Sequence, residues 1–305
     1  MTTAFVLGGG GLLGAHQVGM LRALIESGIT PNLIIGTSIG AVNGAMIAAD
    51  PSLTTIHRMA ELWTLIGQKG VLDSSIFEQI KTLSQSGTHL QSNESLRQLF
   101  TDAFTVERFE DLLVPFQCVA ASIEAASIHY FESGPLIDAV LASAAMPGLL
   151  PPVEIDGQHY FDGGLVAPIP LDRAIELGAT TIYVLQVGWI EAPLAVPTNP
   201  WDVAMVAYEI ARRHRFVEAL ASVPPEVKVH VLPTGEPKAF NGFKNRVSNS
   251  QVVAERINDS YKATCAYLNS IETLLAESSS SAEQKNDCTS LKNAAIAESR
   301  ISTQQ

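Results

Sequence analysis

Leu33-Ile34-Ile35-Gly36-Thr37-Ser38-Ile39-Gly40-Ala41-Val42-Asn43-Gly44-Ala45 joins a short apolar run to a row of small residues. The first three residues read as a buried strand, and the residues from Ala41 onward as the opening of a helix. Between them, Gly36 to Gly40 spell G-x-S-x-G in the strand-to-helix setting of a nucleophile elbow. Glycines stand two residues either side of Ser38 because side chains there would strike the neighbouring strand and helix. The helix N-terminus behind the serine favours developing negative charge. The plainer reading is a serine that merely caps the helix.

Upstream, Ala4 to Leu7 reads as another short strand, followed by the turn Gly8-Gly9-Gly10-Gly11-Leu12-Leu13-Gly14 and a helix from about Ala15 to Ser27. Val18, Leu21 and Ile25 follow helical spacing, and Gly28 supplies the left-handed residue that ends the helix. Strand, helix and strand make a βαβ unit, which brings the Gly8–Gly14 loop and the Ser38 turn to one edge of a parallel sheet. The loop has competing readings. Gly9, Gly11 and Gly14 match the G-x-G-x-x-G dinucleotide fingerprint, yet the second strand ends in Gly36-Thr37-Ser38 with no acidic residue for a ribose. The alternatives are an oxyanion hole formed by loop amides and a flexible turn.

Downstream, 63–113 reads as a helical insertion over the sheet edge, with loops around Gly67–Gly70 and Gln85–Thr88. Strands are expected at Phe116–Ala121 and Ser127–Phe131, then a helix over Leu136–Ala145. Val153 to Phe161 reads as two short strands joined by an Asp156-Gly157 hairpin. Asp162-Gly163-Gly164 follows at once, and an aspartate before two glycines is often only a turn residue. The alternation resumes with a helix at Leu171–Leu177, a strand at Thr181–Val187, a long helix over 201–221, a strand at Val227–Leu232 and a last helix over 250–275. Residues 276–305 are Ser-rich and polar, and read as a disordered tail. The whole reads as a three-layer α/β domain over 1–275 with a mostly parallel central sheet.

The composition sets limits. The chain has 305 residues, 47% hydrophobic and 16% charged, with 19 Lys and Arg against 31 Asp and Glu for a net charge of −12. That balance excludes nucleic-acid binding by phosphate neutralisation. Three cysteines, Cys118, Cys265 and Cys288, form no C-x-x-C pair, which excludes a disulfide scaffold and gives no zinc or redox site. The first residues lack the basic start of a signal peptide, and no apolar run spans a membrane. The expected location is cytoplasmic, with membrane contact only peripheral. Nothing in the sequence sets an oligomeric state.

Taken together, the ordered motifs resemble the patatin-like phospholipases of the compact bacterial type. Gly9 to Gly14 is similar to that family's G-G-G-x-R/K-G loop, Gly36 to Gly40 to its elbow and Asp162 to Gly164 to its D-G-G turn. Ala142-Ser143-Ala144-Ala145-Met146-Pro147-Gly148 also resembles the block before its aspartate, so the likeness runs from about 4 to 187. The resemblance implies a serine acyl-ester hydrolase acting on lipid, lysophospholipid or small esters, with no metal or organic cofactor. Ser38 would be the nucleophile, Asp162 the base, and the amides of Gly9, Gly10 and Gly11 the oxyanion hole. Gly14, Gly36, Gly40, Gly163 and Gly164 would support the motifs. One departure is Leu13 in place of the basic residue, which bears on anionic head groups.

Two rivals remain at this point. A Ser-His-Asp esterase would need a histidine after Asp162, with His214 or His230 in chain order and His159 nearby in sequence. None of the seven histidines sits in a motif, and Arg212 to Arg215 reads as a solvated helix face. The other rival is a non-catalytic protein that holds an anion on the glycine loop.

Overall fold

Parallel strands buried on both faces need helices above and below, and the run of apolar residues in the predicted strands matches that need. The computed structural model describes residues 1–69, 92–187, 193–198, 200–235 and 249–273. The predicted loop at Gln85–Thr88 and the tail 276–305 lie outside the described residues. The chain divides into a unit from Met1 to Thr264 and another from Cys265 to Gln305, of which 265–273 is helical.

Five strands form the parallel part of the sheet: β1 (Thr3–Leu7), β2 (Leu33–Thr37), β3 (Phe116–Ser122), β7 (Thr181–Leu185) and β8 (Lys228–Val231), in the order β3-β2-β1-β7-β8. The rest is antiparallel: β4 (Ser127–Phe131) and β6 (Gln158–Asp162) both pair with β3, and β5 (Val153–Ile155) pairs with β6. The sheet is therefore mixed. Asp156 and Gly157 both take positive φ, 50° and 73°, the conformation that a two-residue hairpin turn requires.

Register brings two distant strand ends together. Val119 of β3 pairs with Tyr130 of β4 and Thr37 of β2, whereas Ala120 pairs with His129 of β4 and Asp162 of β6. Because β4 lines one edge of β3 from Cys118 to Ser122, β2 and β6 must share the other, meeting end to end. Their last residues, Thr37 and Asp162, thus oppose consecutive residues of β3.

Alternation along the strands divides the core between the faces. Ala4, Val6, Ile35 and Val184 pack with Leu171 and Ala174 of α6 (Leu171–Glu176) and Phe216 of α7 (Pro200–Ala221). Phe5, Leu7 and Ile34 are fully buried on the opposite face. Helix α1 (Ala15–Glu26) is followed by β2 and by α2 (Ile39–Ala49), and a Cβ at Gly44 would touch Phe116 and Ile34, so α2 lies close over this face. Each large side chain sealed here stabilises the fold by about 2 kcal/mol.

The segment read as an insertion begins differently. Trp63 lies inside α3 (Leu53–Lys69), which runs unbroken through Gly67, so the part of the expected loop at 67–69 is helical and Gly70 lies outside the described residues. Trp63 is buried, and α3 packs on α1. Helix α4 (Glu94–Ala103) and α5 (Leu136–Ala144) precede β5, and a last helix, α8, covers 250–273. Among the described residues no helix is long and apolar enough to cross a membrane.

Candidate active site

Ser38 sits between β2 and α2 with φ 56° and ψ −124°. A non-glycine residue held there stores about 1–3 kcal/mol of strain, so its surroundings must enforce it. They do so by close approach: a Cβ at Gly40 would overlap the carbonyl of Leu7, and one at Gly36 would overlap the carbonyl of Gly40. The Ser38 N–H, turned inward by this conformation, donates to Ser143 Oγ at 2.8 Å. Its hydroxyl donates to Asp162 Oδ2 at 2.6 Å across 124 residues of chain.

Asp162 performs two tasks at once. Its Oδ1 accepts the Gly164 N–H at 2.7 Å and caps the following turn, so the plain turn reading is correct as far as it goes. Its Oδ2 faces the serine. The side chain is almost completely buried, and burial pushes its carboxyl up to about 6, while the hydrogen bonds from Ser38 and Gly164 pull it down. The group is then largely ionised at neutral pH yet basic enough to accept a proton. Gly163 and Gly164 are packed tightly: a Cβ would overlap the Val119 carbonyl at the first and the Tyr208 hydroxyl at the second. Alanine at 164 would require the Tyr208 side chain to move aside.

The glycine loop lies alongside. A Cβ on Gly9 would stand 3.1 Å from Ser38 Cβ, and Gly11 takes φ 56°. The Gly9 amide, however, donates to Pro168 O at 3.0 Å, and the Gly8 amide to Leu185 O at 3.2 Å. Leu13 is half-buried within the short turn Gly11–Gly14.

The three candidate histidines lie elsewhere. His159 pairs with Glu124 at 2.7 Å on the surface of the hairpin, His214 reaches Glu218 at 3.3 Å on an exposed stretch of α7, and His230 stacks on Tyr183. None hydrogen-bonds Ser38 or Asp162. Nor is Cys118 a rival nucleophile: burial pushes its thiol up to about 12, leaving it protonated, and Sγ donates to Ala139 O. The arginine stretch corrects the sequence reading. Arg212 is 5% exposed and forks onto Glu209 through two 2.7 Å bonds, with Arg213 on the same carboxylate. Arg215 Nη1 donates to the carbonyls of Leu165 and Val166. The solvated reading holds for His214 and Arg215, which are exposed, but not for Arg212 and Arg213, whose charges are buried on Glu209.

The patatin-like phospholipase family model matches residues 5–175, more than half of the chain and all three motifs. The chain belongs to this family. Patatin-like phospholipase domain-containing protein 7 of Mus musculus is 34% identical over 187 residues, 61% of this chain and 13% of the mouse protein. Lysophospholipase nte1 of Aspergillus terreus is 32% identical over 198 residues, 62% of this chain and 12% of its own length. The chain therefore spans only a small part of these patatin-like relatives. Among solved structures, VipD from Legionella pneumophila gives a TM-score of 0.47 at 16% identity, covering 88% of this chain and 67% of VipD.

Ser143 was not legible as a functional residue; its only signal was membership of the Ala142–Gly148 block. Truncating it strands the Ser38 N–H in the interior, which costs about 1–3 kcal/mol. Ser143→Ala is expected to lower the thermal midpoint by a few degrees and kcat on a small ester by about 10-fold, read by thermal denaturation and steady-state kinetics. An unchanged kcat in a folded variant would show that the elbow holds its shape without this bond.

Proposed function

We propose that the protein is a lipid acyl-ester hydrolase working through the Ser38–Asp162 dyad. The observation that carries this reading is the 2.6 Å hydrogen bond from Ser38 Oγ to a buried carboxylate. Ser38 Oγ attacks the ester carbonyl carbon while Asp162 Oδ2 takes its proton. The tetrahedral oxyanion is held by loop amides, and with the Gly9 amide directed to Pro168 the donors are those of Gly10 and Gly11. Collapse expels the alcohol, which recovers the proton from Asp162, and leaves an acyl ester on Ser38. Water, deprotonated by Asp162, then releases the acid. Lipid or lysophospholipid substrates are supported by the names of the relatives. The half-buried Leu13 and the exposed Leu165, one on the glycine loop and one just after the D-G-G turn, suit an acyl chain better than a phosphate.

The test is labelling of the full chain with a fluorophosphonate, mapped by peptide mass spectrometry, beside hydrolysis of a p-nitrophenyl ester. Adduct formation at Ser38 is expected; an unlabelled protein that hydrolyses no ester would sink the reading.

The pH dependence has a definite sign. Because Asp162 is active as the carboxylate with a pKa near 6, the rate should be flat above about pH 7 and fall to about a tenth of the plateau at pH 5. Stability moves the other way for this group. Its pKa is raised from 3.8 to about 6 on folding, so its favourable contribution is full below about pH 4 and is lost as pH rises through 6. A rate that stays level down to pH 5 in a still-folded protein would remove Asp162 as the base.

A further inference from the structure

Beneath the glycine loop three helices each contribute one buried polar side chain, and together they form an unbroken chain of hydrogen bonds. Trp63 Nε1 on α3 donates to Asn43 Oδ1 on α2 at 3.1 Å. Asn43 Nδ2 donates to Gln17 Oε1 at 2.8 Å and to Gly14 O at 3.0 Å. Gln17 Nε2 on α1 donates to Gly8 O at 2.8 Å and Leu185 O at 2.9 Å. Gln17 and Asn43 are 0% exposed and Trp63 1%. Burying two amides and an indole N–H in a core of aliphatic residues is costly unless every polar group is met, and here each amide oxygen, each amide nitrogen and the indole N–H is engaged.

What the chain holds explains its place. Gly8 and Gly14 are the first and last residues of the loop, and both of their carbonyls are drawn inward. In a planar peptide the C=O and the next N–H point opposite ways, so turning the Gly8 carbonyl toward Gln17 turns the Gly9 amide outward, where it meets Pro168 O. Gly10 and Gly11 are left between two fixed ends. Asn43 belongs to the helix that starts immediately after Ser38, so the same residue that anchors the loop also rides with the nucleophile. The indole forms a wall as well: a Cβ at Gly14 would come within 2.6 Å of Trp63 Cζ2 and of Ile39 Cγ1.

We propose that Gln17, Asn43 and Trp63 are positioning residues that fix the glycine loop relative to the Ser38 helix, and so set where the oxyanion donors stand. The proposal rests on the hydrolase reading above. Oxyanion donors act only at the right distance from the oxygen, and small displacements of catalytic groups are known to cost on the order of 100-fold.

The test uses the full chain carrying Gln17→Leu, Asn43→Leu, both together, or Trp63→Phe, which keeps an aromatic ring but lacks the indole N–H. Each single variant is expected to lower kcat on a p-nitrophenyl ester by about 10- to 100-fold, with KM changed less than about 2-fold and fluorophosphonate labelling slowed in parallel. The midpoint of the pH–rate profile should stay at the wild-type value, because the surroundings of Asp162 are untouched. The double variant should lose no more than its worse parent, as residues acting through one loop fail as a unit. A merely structural role predicts lost thermal stability, with labelling rate per folded molecule unchanged, and that result overturns the proposal. If Asn43→Leu does not fold, Trp63→Phe decides by the same readouts. A wild type that neither labels nor hydrolyses overturns both readings, whereas a reactive wild type matched by its variants overturns only this one.

Discussion

Ser38→Ala is expected to lower ester hydrolysis by at least about four orders of magnitude and to abolish fluorophosphonate labelling, while leaving the fold intact. The hydroxyl is the group in contact with the buried carboxylate. Nearby Cys118 stays a thiol, and Ser143 Oγ is occupied by the Ser38 amide, so neither takes over. Alanine keeps the backbone N–H and its bond to Ser143, which is why circular dichroism should not change. Ser38→Gly should be equally inactive but more thermostable, since glycine adopts φ 56° without a Cβ clash. Labelling that persists at another serine with activity retained would remove Ser38 from the mechanism.

Asp162→Asn carries the next largest effect, a loss of several orders of magnitude in kcat, while His159→Ala, His214→Ala and His230→Ala each keep most of the activity. Asparagine preserves the shape and still accepts the Gly164 N–H, but it takes no proton from Ser38. A serine at its free pKa is a poor nucleophile, so on the proposed mechanism deleting the base removes the activation itself. The variant should also melt a few degrees higher at pH 7, because it no longer buries a carboxylate whose pKa burial has raised. Loss of activity with gain of stability separates a functional site from a structural one. A histidine variant as inactive as Ser38→Ala, and still folded, would transfer the mechanism to a Ser-His-Asp arrangement.

Local chemistry made much of this readable from the residues. The apolar runs at Ala4–Leu7 and Leu33–Ile35 form strands because they are sealed on both faces, and the Asp156-Gly157 pair forms its hairpin because both residues tolerate positive φ. Ser38 and the glycines around it report the elbow because the crowding lies within a few residues of chain. The family likeness added the assignment of Asp162, which the residues around it support only as a turn.

Other features lie beyond any local pattern. That β2 and β6 meet end to end on β3 depends on the pairing of strands far apart in sequence, and only this meeting turns a turn-capping aspartate into the partner of Ser38. Arg212 reads as a surface residue because helical periodicity does not say what lies against the helix; in the fold it is buried and paired with Glu209. The same holds for the Gly9 amide, whose acceptor is Pro168, and for Ser143, Gln17, Asn43 and Trp63, whose polar atoms find partners on other elements. Sequence by itself determined the strands, the helices and the strained serine turn, since these follow from spacing and backbone sterics. Tertiary structure alone decided which carboxylate faces the serine, which loop amide is taken by another acceptor and which charges are buried, because hydrogen bonds and desolvation depend on neighbours that folding brings together.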